Sequence, residues 1–180
     1  MPTSSNDFKP AIFAHIKHVA WNYFPSGPYR SKILDVGPGI GTYGRELSNF
    51  WVDAVEIHKP YIEKYDLNSI YHDVFNCNIL DFNYDNYEYI IIGDVLEHIP
   101  IEPAQKLIAD ITRKKIKCLV AVPYICPQDA VDGVESEIHH QDDLTPRLMK
   151  SRYPELEVFL DNNRVAGGYA YYTNYYTFKF

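Results

Sequence analysis

The sequence is short of cysteine, of long apolar runs and of positive charge, and each shortage removes a class of protein. The three cysteines, Cys77, Cys118 and Cys126, lie far apart with no CxxC pair. That spacing suits neither a disulfide framework nor a zinc site, so reduced, inert thiols and no bound metal are expected. No stretch approaches the roughly 20 consecutive apolar residues of a membrane span. The polar start Met1 to Lys9 lacks the regions of a signal peptide, so a cytoplasmic chain with no membrane partner is expected. The 17 Lys and Arg face 24 Asp and Glu, a net charge of -7, which argues against a nucleic-acid backbone as partner. The one basic run, Arg113, Lys114, Lys115 and Lys117, reads as a helix end, where cations favour the macrodipole. No repeat or low-complexity linker interrupts the chain. Its 180 residues suffice for one domain with a sizeable core and not for two ordinary ones. The pattern sets no oligomeric state.

What is present is an alternation of strands and helices. Ala11 to Phe24 has apolar residues near helical spacing and stops before Pro25-Ser26-Gly27-Pro28, which predicts an N-terminal helix and loop. Lys32 to Val36 reads as a strand, Gly37 to Gly41 as a turn and Thr42 to Phe50 as a helix. Trp51 to Glu56 is a second strand, and Pro60 suits the first turn of the next helix. Asp73 to Leu80 is a third, weaker strand. Tyr89 to Ile92 has the unbroken apolar character of a strand buried on both faces. Pro103 opens a helix with Ala104, Leu107, Ile108 and Ile111 on one face, and Cys118 to Val122 is a fifth strand. Val134 to Lys150 is polar, Leu156 to Leu160 reads as a strand, and the alternation over Tyr169 to Phe180 suits a half-exposed edge strand. The expected fold is α/β, Rossmann-like, with a mostly parallel sheet and an antiparallel C-terminal hairpin. Residues 1–30 are the N-terminal helix, 31–124 the ligand-binding core, and 125–180 an acceptor-side loop and hairpin.

A strand entering closely spaced glycines and then a helix brings bare backbone close to a ligand. Two fingerprints overlap here: Gly37, Gly39 and Gly41 make GxGxG, and Gly39, Gly41 and Gly44 make the GxGxxG of dinucleotide binding. Glu56, at the end of the second strand, is placed to accept both hydroxyls of an adenosine ribose. That ribose is common to NAD and S-adenosylmethionine, so the glycines and the acid leave both open.

Asp35-Val36-Gly37-Pro38-Gly39-Ile40-Gly41, Glu56 and Gly93-Asp94-Val95-Leu96-Glu97-His98 occur in that order. Over Ile33 to Pro123 the sequence thereby resembles the class I S-adenosylmethionine-dependent methyltransferases. The resemblance implies a seven-stranded sheet and S-adenosylmethionine as cofactor. It places the Gly37 to Gly41 backbone, with Pro38, along the cofactor, with Asp35 ordering the turn or its water near the methionine end. Glu56 would hold the ribose, Ile57 would lie against the adenine, and Asn78 and Ile79 would take the place of the family's third-strand contact to the adenine amino group. Asn78 departs from the usual acid there, and Asp81 is its rival. Gly93 and Asp94 would approach the methionine moiety.

Methyl transfer is an in-line displacement in which the cofactor brings the reactive group and the protein supplies alignment. A hydroxyl acceptor needs a base, while a neutral amine needs only an exposed lone pair. His98 follows the fourth strand and reads as structural. His139 and His140, beside Asp142 and Asp143, fall in a loop after the fifth strand, so one of them is expected to act as base or to orient a small-molecule acceptor. Trp21, Tyr23 and Phe24 are lid candidates. The alternatives are a partner subunit that binds the cofactor without transferring methyl and, against the Gly93 to His98 match, an NAD-dependent oxidoreductase.

Overall fold

The computed structural model describes residues 13–18, 31–160 and 169–173, with backbone alone for 158–160 and 169–173. The chain divides between Gly93 and Asp94 into two compact units. The fold is α/β and Rossmann-like.

The first unit holds four parallel strands, β1 (Lys32–Val36), β2 (Trp51–Val55), β3 (Val74–Phe75) and β4 (Tyr89–Gly93), in the order β3-β2-β1-β4. Leu34 of β1 stands opposite Asp53 of β2 on one side and Ile90 of β4 on the other. Ile33, Leu34, Ile90 and Ile91 have no exposed surface, as unbroken apolar strands covered on both faces require. Each such side chain contributes about 2 kcal/mol by leaving water. The strands run outward from β1 to β3 and then return to β4 on its other flank. In open α/β sheets such a reversal in strand order, at the carboxyl ends of the strands, is the usual ligand position.

Residues 13–18 form helix α1, whose Ile16 is fully buried and whose Phe13 meets Tyr43 edge-on at 5.7 Å. The remainder of the expected N-terminal helix and the lid aromatics lie outside the described residues. Helix α2 is Thr42–Glu46 and α3 is Lys59–Lys64, with Pro60 in its first turn.

Two elements of this unit are shorter than their sequence suggests. Helix α2 stops at Glu46 instead of Phe50, because Gly44 weakens a helix interior and Ser48-Asn49 favour turns. Strand β3 is two residues long. Asn78 leaves the strand to cap a 3-10 turn over Ile79–Asp81, accepting the Leu80 N–H at 3.0 Å.

Gly44 is held by packing. A Cβ there would lie 2.5 Å from the Tyr71 ring. Gly44→Ala should therefore destabilise the fold by about 2 kcal/mol through overpacking, measured by urea unfolding. An unchanged midpoint would contradict this packing.

In the second unit, α4 (Ile101–Arg113) buries the expected Ala104, Leu107, Ile108 and Ile111. Its basic end is anchored, with Arg113 and Lys114 both paired to Asp110. Strand β5 (Lys117–Val122) pairs antiparallel with β7 (Tyr169–Thr173), and β7 pairs antiparallel with β6 (Leu156–Leu160). The rest of the tail, 174–180, lies outside the described residues. Helix α5 (Pro146–Arg152) occupies a stretch read only as polar. Thr145 caps it by accepting the Leu148 N–H at 3.2 Å, and Pro146 begins it, a start signal visible in the sequence. Among the described residues no helix is long and apolar enough to cross a membrane.

Candidate functional site

The turn after β1 carries Gly37, Gly39 and Gly41 at φ of 61°, 54° and 80°, a left-handed region that costs glycine little and other residues more. The turn is closed by Gly37 N–H donating to Val55 O at 2.9 Å and Gly41 N–H donating to Pro38 O at 2.8 Å. A Cβ on Gly41 would sit 2.6 Å from Ile70. Ile40 at the tip is half exposed.

Asp35 is buried beneath this turn, only 1% exposed. Its Oδ2 accepts the Tyr71 hydroxyl at 2.6 Å, and the Tyr71 oxygen accepts the Gly44 N–H at 3.2 Å. Oδ1 has no hydrogen-bond partner among the described residues. Burial pushes the Asp35 carboxyl up to about 7, the Tyr71 bond opposes that shift, and the nearby charge of Glu56 adds to it. Burial beside Asp35 likewise raises the Tyr71 phenol. Tyr71 therefore couples the acid at the end of β1 to the backbone of α2, a role 36 residues removed from Asp35 that no local pattern announces.

Glu56 ends β2, 4% exposed, and its Oε1 accepts the His58 N–H at 2.7 Å. Asn76 donates through Nδ2 to the Glu56 carbonyl at 2.7 Å and the Ile57 carbonyl at 3.1 Å. These bonds fix the strand end while leaving Ile57 exposed at its surface, 53%. Gly37 to Gly41, Asp35, Glu56 and Ile57 thus gather at the carboxyl edge of β1 and β2. Asn78, with the buried Ile79 beside it, sits on the loop after β3 rather than at a strand end. Gly93 ends β4, where a Cβ would meet the Tyr43 ring at 2.6 Å.

In the second unit Asp94 takes a left-handed φ of 54° and donates its N–H to Ala121 O at 2.9 Å. Glu97 is fully buried, which raises its carboxyl well above the usual range, and Asp94 adds to the shift. Its carbonyl accepts the N–H groups of His140 at 2.8 Å and Gln141 at 3.0 Å. Buried Gln141 donates to the carbonyls of Leu96 and Ile99 and accepts the Tyr153 hydroxyl at 2.8 Å. The loop carrying the histidine pair is thereby pinned to the segment after β4.

The pair divides. His139 is buried, with its ring 4.5 Å from that of His98, whereas His140 is exposed. Burial and His139 lower the His98 imidazole. Asp142 and Asp143 do not join them: Asp143 instead makes a two-armed ion pair with Arg152 at 2.7 and 2.6 Å. Sequence reasoning passed over Glu97, Gln141 and Tyr71. For Glu97 the signal is an acid flanked by the apolar Val95, Leu96 and Ile99.

No protein-family model matches the chain, and no curated protein matches it in sequence. Solved structures do. The N-methyltransferase NodS from Bradyrhizobium japonicum WM9 superposes with a TM-score of 0.61 at 11% identity, over 94% of this chain and 97% of that one. An S-adenosylmethionine-dependent methyltransferase from Clostridium acetobutylicum ATCC 824 gives 0.64 at 11% identity, over 92% and 91%. The fold is that of the class I S-adenosylmethionine-dependent methyltransferases. PigF, solved with SAH, shares this methyltransferase fold with a TM-score of 0.55 at 12% identity, over 93% of this chain and 64% of that one. In the class I methyltransferase fold seen here, the glycine turn and the buried acid Glu56 stand at the ends of β1 and β2.

Proposed function

We propose that this chain binds S-adenosylmethionine and transfers its methyl group to a hydroxyl or amine of a small metabolite or sugar. The reading rests on one arrangement: a left-handed glycine turn, a buried Asp35 with one oxygen unpartnered among the described residues and a buried, oriented Glu56, all at one strand edge beside the reversal in strand order. The fold of PigF, a structure that contains SAH, supports it.

These residues suit such a cofactor. The Gly37 to Gly41 backbone, with Pro38, leaves room for close approach. Glu56 accepts the two ribose hydroxyls, and exposed Ile57 offers an apolar surface for a flat base. Asn78 still has a second carbonyl lone pair for an amino group after capping Leu80, with Ile79 behind it. Gly93 and Asp94 face the methionine end. When bound, the cofactor supplies the electrophilic methyl; the protein's own task is alignment and exclusion of water. On the acceptor side His139 or His140 acts as base or orients the acceptor. This reading carries with it a mostly parallel, seven-stranded fold with an antiparallel C-terminal hairpin and a single cytoplasmic domain.

Incubation with S-adenosylmethionine and a panel of hydroxyl and amine acceptors should yield S-adenosylhomocysteine with at least one of them. The His139→Ala, His140→Ala double variant should lose that turnover while retaining cofactor binding. Turnover unchanged in the double variant would remove both histidines from the acceptor side.

A further inference from the structure

We propose that Glu97, His98 and His139 form a binding site for a divalent first-row transition metal of the zinc type. One donor atom from each of the three residues lies within 4.8 Å of the others. The residues come from two segments, one following β4 and one in the loop after β5, so the cluster is built by tertiary structure and invisible as a sequence spacing.

Three further observations favour a cation over a plain polar cluster. Glu97 Oε2 is buried with no hydrogen-bond partner among the described residues, although such an oxygen ordinarily finds one. His98 Nδ1 lies 3.2 Å from the Ile138 carbonyl oxygen, and His139 Nδ1 lies 2.5 Å from the Cys126 carbonyl oxygen. A carbonyl can only accept, so each Nδ1 carries a proton and Nε2 is the ring nitrogen left to offer a lone pair to a metal. That is the usual outer-shell arrangement of metal-binding histidines. The two segments are also locked together by the Glu97 carbonyl and by Gln141, which limits how far the donors can drift apart.

Two imidazoles and one carboxylate select zinc or its neighbours over magnesium or calcium, which prefer all-oxygen shells. Donors on a shared tetrahedral zinc stand about 3.4 Å apart, given bonds of about 2.1 Å. One donor atom of each residue already lies within 4.8 Å of the others, at most about 1.4 Å beyond that spacing. Three protein ligands leave at least one position open for an oxygen or nitrogen ligand. Its use to orient the methyl acceptor rests on the function proposed above; the metal site itself does not.

The test uses the full chain without cofactor, so its failure is separate from any failure of methyl transfer. Chelator-treated protein is titrated with Co²⁺ and Zn²⁺, followed by visible absorption, metal analysis and thermal melting. The expected result is one equivalent bound, a melting temperature raised by Zn²⁺, and Co²⁺ bands without thiolate charge transfer. His139→Ala and Glu97→Gln should each weaken binding at least about tenfold, and His140→Ala should leave metal affinity unchanged. Absence of binding at 100-fold excess Zn²⁺, binding unaltered in folded His139→Ala and Glu97→Gln, or a thiolate band from the wild type would each overturn the site. The wild-type spectrum and stoichiometry decide the matter even if a variant does not fold.

Discussion

Glu56→Ala is expected to weaken binding of S-adenosylhomocysteine about 100-fold. Two ribose hydroxyls donating to one carboxylate are worth about 1.5 kcal/mol each, and about 3 kcal/mol is roughly two decades in affinity. The fold should lose far less. The bond that carboxylate accepts from the His58 N–H at 2.7 Å is worth about 1 kcal/mol in stability. Glu56→Gln keeps a carbonyl acceptor and should lie between the two, about tenfold weaker than wild type. Calorimetric titration checks the series, with urea unfolding as the control. Equal affinity in wild type and Glu56→Ala would show that this acid holds no ribose.

Asp35 gives the second large effect, in stability against pH. Its folded-state value of about 7 lies above the ordinary 3.8, so the folded chain holds that proton more tightly than the unfolded chain. The associated stabilisation is full below about pH 4 and is lost as pH climbs through about 7. A rise from 3.8 to about 7 corresponds to at most roughly 4 kcal/mol. Asp35→Asn removes the titration while still offering a carbonyl oxygen to the Tyr71 hydroxyl. The difference in unfolding free energy between wild type and Asp35→Asn should therefore swing by about 2 to 4 kcal/mol in favour of the variant between pH 4 and pH 8. A difference that stays flat over that range would mean that Asp35 titrates normally and that its burial beside Glu56 is compensated.

Much of this edge was legible because local chemistry dictates it. The apolar runs of β1, β2 and β4 and the three left-handed glycines are demanded by burial and by backbone geometry. The four buried positions of α4 follow helical spacing from Pro103 onward. Other features depend on residues distant in sequence. Tyr71 reaches back to Asp35, Asn76 ties down the end of β2, and Gln141 joins the histidine loop to Leu96 and Ile99. None of these has a spacing rule, because side chains that meet across a fold need share no period. Asn78 shows a third kind of limit: its place after a short strand is local, yet propensity alone does not separate a strand end from a 3-10 cap. His139 and His140 are neighbours in sequence and differ in burial, which only the packing of Cys126 and Glu97 around the loop decides.

The most direct measurement is calorimetric titration of the wild-type chain with S-adenosylmethionine and S-adenosylhomocysteine, with NADH as the competitor for the same glycine turn. The account predicts micromolar binding of both sulfur ligands and none of NADH. Binding of NADH alone, or of none of the three, would contradict it.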